Sequence, residues 1–134
     1  GTLAQGMRIN LTGTPGGDDQ FSWQLMDSTG KAIAALWIAT ADGSLRLTDS
    51  TGRTLLSTQH ITAGEGNWHW VNFEAKLDQR SLTVWMDGVP LSAALPLPGS
   101  ASVSDLQGVW NLGSDGKPAG TTMGISGFTT QIVP

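Results

Sequence analysis

Residues 68–88 constrain the fold of this chain most, because they carry two period-two patterns joined by a short polar turn. Val71, Phe73, Ala75 and Leu77 alternate with Trp70, Asn72, Glu74 and Lys76. Successive side chains of a strand point to opposite faces, so this is a strand buried on one side only. Leu82, Val84 and Met86 alternate in the same way with Ser81, Thr83, Trp85 and Asp87. With Asp78-Gln79-Arg80 as the turn, the two apolar sets face each other across an antiparallel ladder, and so do the two polar sets. Trp70 and Trp85 then lie on the face away from the core, beside Asn72, Glu74 and Thr83. Large apolar rings on a polar face are the first pointer to a binding site.

Strand-like segments recur at short intervals along the remaining sequence, separated by Gly- and Asp-rich punctuation, the signature of an all-β sandwich or barrel. They are Met7 to Leu11, Phe21 to Met26, Lys31 to Ala39, Leu45 to Thr48, Arg53 to Ile61, Leu106 to Leu112 and Met123 to Ile132. Asp27-Ser28-Thr29-Gly30, Ala41-Asp42-Gly43 and Asp49-Ser50-Thr51-Gly52 read as turns between them. Pro90, Pro96 and Pro98 forbid a central strand over Val89 to Leu97 and make it an edge or a crossing connection. About nine to eleven short strands are too many for one open sheet of this size, so two packed layers are expected.

The 134 residues suit one domain that can bury a core without staples. A net charge of −4 with only seven scattered Lys and Arg argues against nucleic acid or an anionic membrane as partner. No apolar run approaches the ~20 residues that span a bilayer. The absence of Cys removes disulfides, thiol nucleophiles and thiolate metal sites, and two His, at 60 and 69, are too few for most zinc chemistry. Calcium is the more plausible cation, with Asp18, Asp19, Asp42 and Asp115 as loop candidates, although Asp beside Gly is first of all turn chemistry. The opening Gly1-Thr2-Leu3, without Met, reads as a piece of a longer protein, and the Cys-free, charge-poor composition matches exported bacterial β-domains, secreted or at the cell surface.

The run Trp68-His69-Trp70-Val71, a half-buried strand, a polar turn and then Leu82-Thr83-Val84-Trp85-Met86-Asp87-Gly88 resembles the hallmark hairpin of the concanavalin A-like jelly rolls, which include laminin G-like domains and family 16 glucanases. The final strand containing Gly124-Ile125-Ser126-Gly127-Phe128 fits the same order. The resemblance implies a two-sheet antiparallel jelly-roll sandwich. It also places Trp68 at the closed end of the sandwich, in the core. A family 16 enzyme would carry a Glu-x-Asp-x-(x)-Glu strand, its two carboxyls about 5.5 Å apart. Here Glu65 and Glu74 are the only glutamates and the motif is absent, as is any Tyr to serve as the proton donor of jelly-roll alginate lyases.

Six Trp and no Tyr make each indole a candidate either for the core or for stacking on a sugar. Trp23 shares the phase of Phe21 and Leu25, Trp37 that of Ile33, and Trp110 that of Leu106 and Leu112, which assigns all three to the core. Trp70, Asn72, Glu74, Thr83 and Trp85 are left as the ligand-binding set for a polysaccharide or oligosaccharide. The expectation is a non-catalytic accessory domain recognising a neutral glycan by Trp stacking and hydrogen bonds. A structural or adhesive laminin G-like interaction domain is the competing class. A small glycan-active enzyme built on Glu74 is the third, since catalysis of this kind needs a paired acid and base that the sequence does not supply.

Overall fold

The computed structural model describes residues 1–13, 18–98, 102–111 and 120–134. They form β1 (Thr2–Gly13), β2 (Gln20–Asp27), β3 (Ala32–Ala39), β4 (Ser44–Asp49), β5 (Thr54–His60), β6 (His69–Lys76), β7 (Ser81–Met86), β8 (Val89–Pro90), β9 (Leu95–Pro96), β10 (Val103–Asn111) and β11 (Thr121–Val133). One sheet has the order β11-β1-β6-β7-β8, with β9 paired to β7, and the other the order β10-β2-β3-β4-β5. Every pairing is antiparallel. The proline-containing stretch contributes only the two-residue strands β8 and β9, both on the flank of β7, where a missing N–H disrupts little of the ladder. Among the described residues no helix is long and apolar enough to cross a membrane.

The expected hairpin forms with the expected register: Val71 faces Met86, Phe73 faces Val84 and Ala75 faces Leu82, while Asn72 faces Trp85 and Glu74 faces Thr83. The apolar set packs inward with Met7, Ile9 and Leu11 of β1 against Leu25, Leu36, Ile38, Leu45 and Leu47 of the other sheet. Each fully buried side chain of this kind contributes about 1.5–3 kcal/mol.

Two identical tetrapeptides fold identically. In Asp27-Ser28-Thr29-Gly30 and in Asp49-Ser50-Thr51-Gly52 the aspartate Oδ1 accepts from the Thr backbone N–H and hydroxyl and from the N–H four residues on. The closing glycine of each has φ +83°, a left-handed conformation that a Cβ disfavours. These donors favour the ionised aspartate, and both carboxyls are held below the usual aspartate range, the threonine hydroxyl bond being the largest cause in each.

Three of the tryptophans depart from their expected places. Trp23 is in the core at 5% exposure, but Trp68 and Trp110 are 38% and 39% exposed. Trp110 does share the inward phase of Leu106, with its ring edge-on to Phe21, but β10 is an edge strand and nothing described covers its outer half. Trp68 precedes β6 in the outward phase of Trp70, so the inference from the family hairpin fails against the pattern. Trp37 is half-buried on the outward face of β3. The register of β2 with β3 shifts between Leu25 and Met26, so Ile33 is the extra residue of a bulge and does not share Trp37's face.

Candidate functional site

The expected ligand set on the hairpin divides in the structure. Trp70 stands out at 51% exposure, whereas Trp85 is half-buried and its indole N–H is enclosed without an acceptor among the described residues. Asn72, Glu74 and Thr83 share the outward face between them, and Glu74 lies 3.8 Å from Lys76. Trp70 has Arg8 of β1, rather than Trp85, against its ring.

Below this face, His69 fastens the hairpin to the preceding loop. Its Nε2 accepts from the Thr62 backbone N–H at 3.1 Å and its Nδ1 lies 2.7 Å from Asp87 Oδ2. A neutral ring that accepts at Nε2 must carry its proton at Nδ1, so His69 donates to Asp87. Asp87 Oδ1 accepts from the Trp70 backbone N–H. Asn10 pins the same loop from below, donating to the carbonyls of Gly64 and Asn67, both at 2.8 Å. Asn10-Leu11-Thr12 has the Asn-x-Thr form of a glycosylation acceptor, but at 6% exposure and with its amide bonded to the loop Asn10 serves packing instead.

The loop aspartates have structural work. Asp42 caps the Ser44 N–H, which draws its carboxyl below the usual range. Asp19 is buried, and its backbone carbonyl accepts from the backbone and hydroxyl of Thr40. Asp115 lies outside the described residues. Among the described residues no three His, Cys, Asp or Glu side chains converge on one point.

A concavity lies on the other sheet. Ser44, Arg46 and Thr48 occupy the outward phase of β4, and the register sets Arg46 directly across from Trp37 of β3. The Arg46 guanidinium lies 4.5 Å from the Trp37 ring centroid and donates to Gln20 Oε1 at 2.9 Å, while the Trp37 N–H donates to the Thr48 hydroxyl at 3.0 Å. Gln20, Trp37, Ala39, Ser44, Leu45, Arg46, Leu56 and Ser57 line a depression of about 280 Å³. Leu56 stands 79% exposed at its rim. Beside it a polar lane continues across β2 and β10, where the buried Ser22 hydroxyl accepts from Gln24 and Asn111. Partial burial pulls the Arg46 pKa below its ordinary value, yet a guanidinium remains charged at any physiological pH. Neither Arg46 nor Gln20 stands out in the sequence. The sequence offers only a lone cation in the outward phase of β4, and the strand register is what sets it opposite an aromatic.

No protein-family model matches the chain, and no curated protein matches it. Solved structures do. A tetrameric galectin from the ball sponge Cinachyrella sp. superposes with a TM-score of 0.68 at 13% identity, over 98% of this chain and 91% of that one. Sheep galectin-11 does so with 0.60 at 11% identity, over 97% and 89%. The alginate lyase AlgAT5 of polysaccharide lyase family 7 gives 0.62 at 14% identity, over 94% of this chain and 60% of that chain. Identities this low speak for the shared fold alone. With its two antiparallel sheets and these neighbours, the chain is a two-sheet jelly-roll sandwich with the concanavalin A-like fold.

Proposed function

We propose that this chain is a non-catalytic carbohydrate-binding module that holds part of a neutral glycan in the depression over Trp37 and Arg46. The observation that carries the reading is the guanidinium of Arg46, fixed by Gln20 and Trp37 and without an acidic partner among the described residues. Of its five N–H donors, Gln20 takes one, which leaves donors for sugar hydroxyls. Ala39 and Leu56 offer apolar contact to the C–H faces of a sugar ring. The mixture of apolar lining with a few fixed polar groups is what a partly apolar, partly hydroxylated ligand needs. The galectin likeness supports the same class of ligand. The absence of a paired acid and base in the sequence supports binding without turnover, and the exported-type composition supports an accessory role in a larger secreted bacterial protein.

The test is a screen of neutral oligosaccharides followed by calorimetry on the best ligand. Arg46→Ala should weaken binding about tenfold to a hundredfold, the worth of hydrogen bonds to a charged group. Retained affinity in Arg46→Ala, or no neutral ligand at all, would refute this site, and the latter result would favour the structural or adhesive class. The hairpin face of Trp70, Asn72, Glu74, Thr83 and Trp85 is the second reading, favoured by the exposure of Trp70, and loss of affinity in Trp70→Ala instead would select it.

A further inference from the structure

The outward face of the six-stranded sheet carries a second arrangement that the depression does not use. Arg8 of β1 pairs with Trp70 of β6 in register, and its guanidinium carbon lies 5.9 Å from the Trp70 ring centroid and 5.3 Å from that of Trp68. Both indoles are well exposed. Beside them β11 supplies two glycines, of which Gly124 stands where a side chain would crowd an indole and Gly127 where one would only touch. A Cβ at Gly124 would come within 3.2 Å of the Trp68 ring, and one at Gly127 within 3.7 Å of both the Trp70 ring and the Arg8 stem. The loop bearing Trp68 is held by Asn10, and the Trp70 backbone by Asp87. The ladder is therefore set in place from three strands before any ligand arrives.

Arg8 has no acidic partner among the described residues. Asp87, which holds the Trp70 backbone, already spends its two oxygens on Trp70 N–H and on His69. A positive group between two exposed ring faces lacks only an anion.

We infer that the Trp68–Arg8–Trp70 ladder binds a carboxylate-bearing sugar, a uronate-type unit. The planar carboxylate matches the guanidinium fork, and the C–H face of the same sugar ring covers Trp70. Arg46 has Gln20 as an acceptor whereas Arg8 has none among the described residues, so a neutral sugar would answer Arg8 less well than a carboxylate does, and a simple carboxylate would leave the indole uncovered. The site is independent of the Trp37–Arg46 depression, being on the opposite sheet.

The experiment titrates a galacturonate oligosaccharide, its carboxyl-reduced counterpart and acetate into the protein, with the tryptophan indole N–H signals followed by NMR. The uronate should shift the Trp68 and Trp70 signals, and the reduced sugar and acetate should bind at least tenfold more weakly. Binding should weaken as salt is raised, because Arg8 is partly exposed. Arg8→Gln and Trp70→Ala should each lose about tenfold while retaining the wild-type far-UV spectrum, and Arg46→Ala should bind uronate as the wild type does. Equal affinity for the reduced sugar, shifts at Trp37 in place of Trp68 and Trp70, uronate binding lost in Arg46→Ala, or no shift up to millimolar ligand would each overturn the inference. Failure here leaves the neutral-glycan test untouched, since that one is read from Arg46.

Discussion

Gly43 and Gly30 offer a matched pair for separating backbone conformation from space. Both sit in turns of the five-stranded sheet with left-handed φ, +72° and +83°. An alanine Cβ at Gly30 would meet nothing within 4 Å, whereas at Gly43 it would lie 2.2 Å from the Ile61 carbonyl oxygen. The left-handed conformation costs a non-glycine residue about 1–2 kcal/mol, partly offset by roughly 0.4–1 kcal/mol from the stiffer unfolded chain. Gly30→Ala should therefore destabilise by only about 1 kcal/mol or less. Gly43→Ala carries the same backbone cost and also drives Ile61 away by more than an ångström. That displacement breaks the Ile61 N–H bond to the Gly43 carbonyl and lifts a core side chain that is 4% exposed. Losing the bond adds roughly 0.5–1.5 kcal/mol, and partial loss of Ile61 burial a further ~1–2 kcal/mol, for a total near 3 kcal/mol. Urea unfolding of the two variants measures the difference directly, with unchanged m-values showing that the unfolded state is not its source. Equal midpoints for Gly30→Ala and Gly43→Ala would refute the steric argument. Ser44 and Leu45, which follow Gly43, line the depression, so Gly43→Ala should also weaken any ligand bound there.

Two further outcomes follow from the same geometry. Trp85→Phe removes an enclosed indole N–H without an acceptor among the described residues and should leave the free energy of urea unfolding unchanged or raise it by up to ~1 kcal/mol, whereas Trp37→Phe breaks the bond to Thr48 and should lower it by ~1–2 kcal/mol. Asp27 and Asp49 have folded pKa values below their unfolded ones, so their turns add stability that is fully present above about pH 4 and is lost as pH falls through the lowered folded values. In Asp27→Asn/Asp49→Asn the amide oxygen still accepts, so acid titration should show a shallower loss of stability below pH ~4 than in the wild type, and an identical acid profile would count against the turn geometry.

Strands and their register were legible wherever alternation ran unbroken. The hairpin at 68–88 is the clearest case, because burial on one face writes itself into every second residue. The tryptophans were harder to read, each for a local reason. At Trp37 a one-residue bulge reset the phase, at Trp110 the phase was right but the strand lay on an edge, and at Trp68 the residue stood outside a strand altogether. Trp85 was rightly placed on the outward face, but the sequence could not say that this ring folds down while Trp70 stands up. Arg8 and Arg46 were invisible for another reason. A lone cation on a polar face is ordinary, and only the register that sets Arg8 opposite Trp70, and Arg46 opposite Trp37, brings each against an indole. Pairing across strands is a property of the whole sheet and leaves no trace in a single segment.

The sheet topology also bears on the order in which the molecule assembles. Strands β2 to β5 pair with one another in sequence order, through two short turns of identical composition and one at Gly43, and only the far edge of β2 takes a distant partner, β10. β1 is held instead between β6 and β11, with Thr2 opposite both Lys76 and Val133. Loops that close over short distances form sooner than those that span a chain. The face carrying Trp37 and Arg46 can therefore take shape while a nascent chain is still being extended. The floor of the Trp68–Arg8–Trp70 ladder waits for β11, which is synthesised after the other ten strands described. A ribosome-stalled chain ending before residue 121 would present the first surface without the second.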